Sequence, residues 1–330
     1  MTDEKSTEEQ SAGMSTDTDS QGSSDSSEER SEGAEGFRSG FVSIIGRPNV
    51  GKSTLLNRIL GYKVSIVTPK PQTTRKRIIG ILTGEGYQIV FIDTPGLHEL
   101  KKKGIYEYML QAAYRAASEA DLIAYMTEAD SDVEQDAPFL KRISTAKVPK
   151  FLLINKIDLV NKRELLPKID AYSKSYQFDE IIPISALTGD GVDLFVKLIV
   201  KYLPEGPLYY PEDQITDQSV RFVVSEIIRE KLFMLLKQEL PYAVAVEVEE
   251  FKERSDKLIY IRATIIVEKD SQKFIVIGKS GSMLKKVGTL AREELEHMLG
   301  KKVFLELFVK VRRDWTKDPK MLGSLGFKNP

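Results

Sequence analysis

The nine residues GRPNVGKST at 46–54 constrain this chain more than any other feature. They fit the pattern G-x-x-x-x-G-K-[ST]. They lie between a short apolar run, 41–45, and a segment with helical spacing, 52–60. In a strand–loop–helix setting such a loop turns its N–H groups inward. The helix that follows presents its positive end to the same point. Gly46 and Gly51 allow the backbone to wrap closely. The whole loop, Gly46, Arg47, Pro48, Asn49, Val50, Gly51, Lys52, Ser53 and Thr54, is therefore a candidate cradle for nucleotide phosphates. Lys52 would act catalytically by neutralising β- and γ-phosphate oxygens, and Ser53 would ligate Mg²⁺.

The pattern around the loop agrees. Strand-like runs at 41–45, 78–83, 87–92, 121–127, 151–154 and 181–184 alternate with helical segments at 52–60, 105–117, 133–144, 162–176 and 191–202. Such alternation predicts an α/β fold with a mostly parallel sheet covered on both faces, and one antiparallel edge from the 78–92 hairpin. After a Pro- and acid-containing stretch the order becomes α-β-β-α-α-β, a smaller α+β unit. The division expected is a disordered acidic, Ser-rich tail at 1–38, a nucleotide-binding domain at 39–204, and a linker at 205–219. A second domain follows at 220–320, then a C-terminal tail at 321–330.

Three further motifs fall at strand ends. DTPG (93–96) places Asp93 where a carboxylate can hold Mg²⁺ and Gly96 where its N–H can meet a γ-phosphate. NKID (155–158) selects the base. The Asp158 carboxylate can accept from both N1–H and the exocyclic amine of guanine, a pair adenine lacks. Asn155 would brace the loops and the Lys156 stem would cover the base plane. In SAL (185–187), following Ser185, the Ala186 N–H would meet guanine O6. Between the first helix and second strand, KPQTTRK (70–76) offers a hydroxyl for the Mg²⁺ shell when γ-phosphate is present: Thr74 first, Thr73 second.

Composition excludes several other chemistries. With no cysteine, disulfides, thiolate zinc and a Cys nucleophile are ruled out, and two histidines make no multi-histidine metal site. No apolar run approaches the ~18–20 residues of a membrane span. Residues 1–40 carry a net charge of −8, whereas 271–320 carry +6. A basic C-terminal region favours a polyanion partner.

The four motifs in this order resemble a translation-factor-class GTPase. Their wording, GRPNVGKST, PQTTR, DTPGLH and NKID, resembles the Era family of bacterial GTPases over about residues 40–320. GKSG, Gly278-Lys279-Ser280-Gly281, resembles the G-x-x-G loop of a type II KH domain, and LFVKVRRDW (307–315) resembles the ending of that family. Two glycines there allow a nucleic-acid backbone to approach without a Cβ clash. Lys279, Lys285, Lys286, Arg312 and Arg313 would contact phosphates. The resemblance implies GTP/GDP as ligand and a GTP-hydrolysing switch. It implies a client near the 3′ end of 16S rRNA on the assembling small (30S) ribosomal subunit. It also implies a cytoplasmic monomer with peripheral association at the cytoplasmic face of the inner membrane. In related GTPases an Asn at position 49 helps hold K⁺, and the same is expected here.

Leu97 stands directly after DTPG, where small signalling GTPases carry the Gln that orients water, so intrinsic hydrolysis is expected to be slow. His98 could contact water or γ-phosphate but reads better as loop surface, and His297 as helix surface. Arg75 reads as a structural salt bridge rather than a catalytic group. Trp315 either stacks on a base or packs. Two rivals stand beside the leading reading. One is a related GTPase with another RNA client. The other is an RNA-binding scaffold with a structural nucleotide site, against which the intact Lys52, Ser53, Asp93 and Asp158 weigh.

Overall fold

The computed structural model describes residues 36–97 and 104–327. The expectations for the acidic tail up to residue 35, and for His98, lie outside those residues. Strand β1 (Arg38–Gly46) begins inside the stretch expected to be tail. Arg38 pairs with Tyr87, and its guanidinium donates to the Leu203 carbonyl at 2.6 Å. The chain continues through α1 (Lys52–Leu60), β2 (Ile78–Gly84), β3 (Tyr87–Asp93), α2 (Ile105–Ser118), β4 (Leu122–Glu128) and α3 (Val133–Ile143). Then come β5 (Lys150–Asn155), α4 (Lys162–Ser175), β6 (Glu180–Pro183) and α5 (Val192–Tyr202).

Six strands form one sheet in the order β2-β3-β1-β4-β5-β6. All neighbours run parallel except β2, which pairs antiparallel with β3 across a two-residue turn. The central strands are apolar along their whole length because both faces are covered. On one face Val42, Ile44, Phe91, Ala124 and Phe151 pack with Leu55 and Leu56 of α1 and Phe195 and Ile199 of α5. On the other, Ile45, Ile123, Tyr125 and Leu152 pack with residues of α2, α3 and α4. The carboxyl ends of β1, β3 and β5 therefore open on one crevice, where ligands bind in sheets of this kind.

The second sheet, β7-β8-β9, carries β7 (Ala245–Ser255) antiparallel and β9 (Lys302–Val311) parallel to β8 (Leu258–Val267). Helices α6 (Val220–Leu235), α7 (Asp270–Ile277) and α8 (Ser282–Leu299) share one core with alternate residues of β8, from Ile259 to Val267. This is the expected α-β-β-α-α-β order. A 3₁₀ turn, Leu240–Ala243, precedes β7.

Two segments read as connecting or trailing chain are packed. Of the expected linker, residues 205–216 are strapped along the first sheet. Buried Gln88 accepts from the Tyr209 and Tyr210 N–H groups and donates to the Tyr210 carbonyl. The Ile81 N–H donates to the Ile215 carbonyl, and the Thr216 hydroxyl donates to the Ile79 carbonyl. The C-terminal stretch folds as α9 (Pro319–Ser324), with Leu322 and Phe327 buried against Ile105 and Met109 of α2. Trp315 belongs to that cluster. It is fully buried and donates through Nε1 to the Ala243 carbonyl at 3.0 Å, so it packs and is out of reach of a base.

Candidate functional site

The phosphate loop is shaped by backbone positions with positive φ: Gly46 (153°), Asn49 (65°) and Gly51 (104°). A Cβ on Gly46 would come within 2.2 Å of the Met126 carbonyl, and one on Gly51 within 2.3 Å of the Asn155 side chain. Only glycine fits between these neighbours. Lys52 folds back over the loop, and its ammonium donates to the Gly46 and Arg47 carbonyls at 3.0 and 2.9 Å. Burial lowers its pKa to about 8, against the opposing pull of Asp93.

Below Lys52 four oxygen-bearing side chains converge. Ser53 Oγ lies 2.9 Å from Thr74 Oγ1 and donates to Asp93 Oδ2 at 2.7 Å. Ser65 donates to the same oxygen at 3.0 Å. Burial pushes the Asp93 carboxyl up, while Lys52, Ser53, Ser65 and the Thr94 N–H pull it down. Asp93 Oδ1 is buried without a hydrogen-bond partner. A carboxylate with an unmet oxygen beside two hydroxyls is the donor set a hard cation takes. Thr73 is turned elsewhere. Its hydroxyl lies 2.6 Å from Thr68 Oγ1 and donates to the Lys70 carbonyl.

At the other end the base loops are tied to the phosphate loop. Asn155 donates to the Val50 carbonyl at 2.7 Å and accepts the Ala186 N–H at 2.8 Å. That N–H, assigned from the sequence to guanine O6, is engaged by Asn155 here. Ser185 donates to Asp158 Oδ1 at 2.6 Å, which orients the carboxylate. Lys156 pairs with Glu128 at 2.5 Å. These ends border one cavity of about 440 Å³. Pro48, Asn49, Gly51, Lys52, Ser53 and Thr54 line it at the phosphate end, with Gly96, Thr73 and Thr74 beside them and Lys156, Asp158 and Ala186 opposite. Arg47 is not among the lining residues. Its guanidinium points away and binds Asp136, Gln135 and Ser131. Val50 turns its side chain into the core. Gly96 lies against Pro48, where a Cβ would approach the Pro48 backbone to 2.6 Å.

The sequence reading missed Ser65, and Asn57, which holds the Val64 and Ser65 N–H groups at 3.0 Å. Neither sits in a recognisable motif. It also gave Arg75 a salt bridge. Arg75 instead donates to three carbonyls at the start of the second domain, Val244, Pro241 and Tyr242, at 2.7, 3.1 and 2.9 Å. Lys70 donates to the Phe233 and Leu236 carbonyls, and Lys63 bonds Glu230 and Glu294 at 2.7 and 2.6 Å. The segment between α1 and β2 is thus held by α6 and α8 as well as by its own domain.

In the second domain, Gly278 (φ 74°), Ser280 (51°) and Gly281 (79°) turn the chain between α7 and α8. A Cβ on Gly278 would meet Met283 at 2.7 Å, whereas one on Gly281 would meet open space. Lys279, Ser280, Lys285 and Lys286 are exposed. A groove of about 480 Å³ runs between α8 and β9, lined by Gly281, Lys285 and Gly288 on one side and Phe304, Leu305 and Leu307 on the other. Arg292, which the sequence reading passed over, lines it too. Lys279, Ser280, Lys286, Arg312 and Arg313 are exposed but do not line it. His297 is on the surface.

A phosphate loop, a hydroxyl–carboxylate cluster and a base-selecting loop at the ends of parallel strands define a P-loop GTPase, continued here into a KH fold. The family model described as 50S ribosome-binding GTPase matches residues 41–156, and the KH domain model matches 239–316. The chain belongs to the Era family of GTPases. It is 56% identical over 293 residues to GTPase Era of Geobacter metallireducens, covering 88% of this chain and 98% of that one. It is 51% identical to GTPase Era of Clostridium acetobutylicum, with 89% and 99% covered. Two solved Era structures superpose with TM-scores of 0.85 at 42% identity. One is a Tyr-to-Ala variant of Aquifex aeolicus Era bound to GDP·AlF₄⁻, covering 88% of this chain and all of that one. The other is Era in complex with MgGDPNP and nucleotides 1506–1542 of 16S ribosomal RNA, covering 89% and all.

Proposed function

We propose that this GTPase is a nucleotide-driven switch that binds the 3′ region of 16S rRNA through its KH domain and acts in small-subunit assembly. The observation that carries the reading is the joining of a guanine-selective pocket to a glycine-loop groove. Lys63, Lys70 and Arg75 run from the nucleotide side into α6, α8 and the 3₁₀ turn. The relative with 16S nucleotides in its complex supports the choice of client.

In hydrolysis a water oxygen attacks the γ-phosphorus, the bond to the β–γ bridging oxygen breaks, and GDP and phosphate form with release of a proton. Lys52 would neutralise charge on the β- and γ-oxygens. Ser53, Thr74 and Asp93 would hold Mg²⁺, which would supply further positive charge against the negative charge of the transition state. Leu97 is buried and apolar, so water must be oriented by other groups or by an activator. Asn49, beside the cradle with its amide on the Pro69 carbonyl at 3.0 Å, would support a K⁺ ion. Unequal turnover in K⁺ and Na⁺ buffers is expected. Ala186 lines the cavity, and its N–H, held by Asn155, would turn to guanine O6 when the base is bound. Asp158 reads the guanine N–H pair.

Gly281 would admit an RNA backbone to the groove, with Lys279, Ser280 and Lys285 on its phosphates. Lys286, Arg312 and Arg313 would add longer-range attraction. The client implies a cytoplasmic monomer, and attachment to the inner membrane would be peripheral and use the same basic surface. Among the described residues no helix is long and apolar enough to cross a membrane. The test is a titration of labelled 16S 3′ RNA and a scrambled control with apo, GDP-bound and GTP-analogue-bound protein at fixed salt. Preferential binding of cognate RNA in the GTP-analogue state, lost in Gly281→Asp, supports the reading. Binding indifferent to sequence and nucleotide overturns it.

A further inference from the structure

Two buried arginines cross the boundary between the domains in opposite directions. Arg75, from the segment before β2, is bound entirely by carbonyls of residues 241–244. Arg229, from α6, is 3% exposed and reaches back, donating through Nη2 to the Thr73 carbonyl at 2.6 Å. Both guanidinium groups stand over the Phe233 ring, at 5.4 and 5.2 Å from its centroid. Glu226 holds Arg229 from below, accepting from Nε at 2.8 Å.

We propose that Arg229 is a positioning residue for GTP hydrolysis, setting the Thr74 hydroxyl by holding the carbonyl of Thr73. The proposal rests on the reading of Thr74 as a Mg²⁺-shell hydroxyl. The Thr73 carbonyl and the Thr74 N–H belong to one planar peptide group. Fixing the carbonyl fixes the plane from which the Thr74 side chain departs. Local bonds hold the Thr73 and Thr74 hydroxyls, but the Thr73 carbonyl takes its bond from Arg229. Residues 61–77 contain no helix or strand, and Gln72 takes φ 60°. The Thr73 hydroxyl faces Thr68 and Lys70, away from Ser53. Arg229 also carries a buried Nη1 with no partner. Its Nη2 also bonds Glu226, so the guanidinium is clamped between that carboxylate and the Thr73 carbonyl. Docking of the KH domain thereby completes a site 156 residues upstream in sequence.

The test uses the full chain and measures steady-state GTP turnover against Mg²⁺ concentration, together with GDP affinity. Arg229→Gln should lower kcat roughly tenfold and raise the Mg²⁺ concentration for half-maximal turnover several-fold. It should leave GDP affinity within about twofold, since GDP is held by the phosphate and base loops. Arg229→Lys, which keeps the charge but loses the fork, should recover part of kcat and fold where the Gln variant fails to. Leu322→Ala loosens the contact between the domains at the separate Trp315 cluster, leaves Arg229 and its partners in place, and should keep kcat near wild type. Unchanged kcat and Mg²⁺ dependence in a folded Arg229→Gln protein overturns the proposal. An equal kcat loss in Leu322→Ala also does, since it would mark general docking. Thr74→Ala separates the two readings. If it leaves turnover unchanged, the role of Thr74 falls and this proposal with it; if it abolishes turnover while Arg229→Gln is silent, only the proposal falls.

Discussion

At the scale of single residues, the base end of the site works by orienting one carboxylate. Asp158 has one oxygen fixed by Ser185, which leaves the carboxylate aimed at the base edge. Asp158→Asn replaces an acceptor by a donor opposite the guanine N–H pair. Competition binding should show guanine nucleotide affinity falling by roughly 10²-fold or more and preference shifting toward xanthine nucleotides, whose edge offers the complementary acceptor. The two loop glycines of the KH domain make a second comparison. Both have positive φ, so Ala is strained at either. Only at Gly278 does the new Cβ also collide with Met283. Thermal or denaturant unfolding should show Gly278→Ala costing about 1–2 kcal/mol more than Gly281→Ala. These residues were legible in the sequence because each motif is contiguous and its chemistry is carried within a few positions. Arg47 shows the limit of that. It sits inside the most recognisable motif, yet its side chain belongs to a network with Asp136, Tyr125 and Tyr172 that no local pattern announces.

At the scale of elements, α6 is a core helix of one domain and a floor for the other. Its apolar stripe was readable from helical spacing and does pack with β8 and α8. Its polar residues, Glu226, Arg229, Glu230 and Lys231, were not, because beyond the pairs they make with one another their partners, Thr73, Lys63 and Glu294, are distant in sequence. The Glu226 carboxyl illustrates the consequence. Burial raises its pKa, but the charge and hydrogen bond of Arg229, with Lys76 and Arg75, outweigh this and leave it below its ordinary 4.5. A folded-state pKa below the unfolded one gives stability that is complete above about 4.5 and lost as pH falls through the lower folded value. Denaturation midpoints should drop on acidification below pH ~4.5, and Glu226→Gln should flatten that dependence. A flat wild-type profile from about pH 5 to 3 would contradict this.

At the scale of the whole molecule, alternation of strands and helices was enough to predict the first sheet, and the α-β-β-α-α-β order was enough for the second. How the halves are fastened was not legible. Trp315, Leu322 and Phe327 join Ile105 and Met109 over separations of some two hundred residues, with no periodicity to betray them. Trp315→Ala should cost about 3–5 kcal/mol and split a single calorimetric transition into two, as the shared cluster dissolves and each core melts by itself. The strap from 205 to 216 has a different consequence. It occupies the open side of β2, giving the Ile81 N–H a partner within its own chain. A strand that would otherwise invite a stranger to pair is thereby closed to it. The same arrangement leaves almost no slack before α6 begins at Val220. Any swing of the RNA-binding half must then turn about a pivot of a few residues, and what it sweeps through is an arc rather than a cloud.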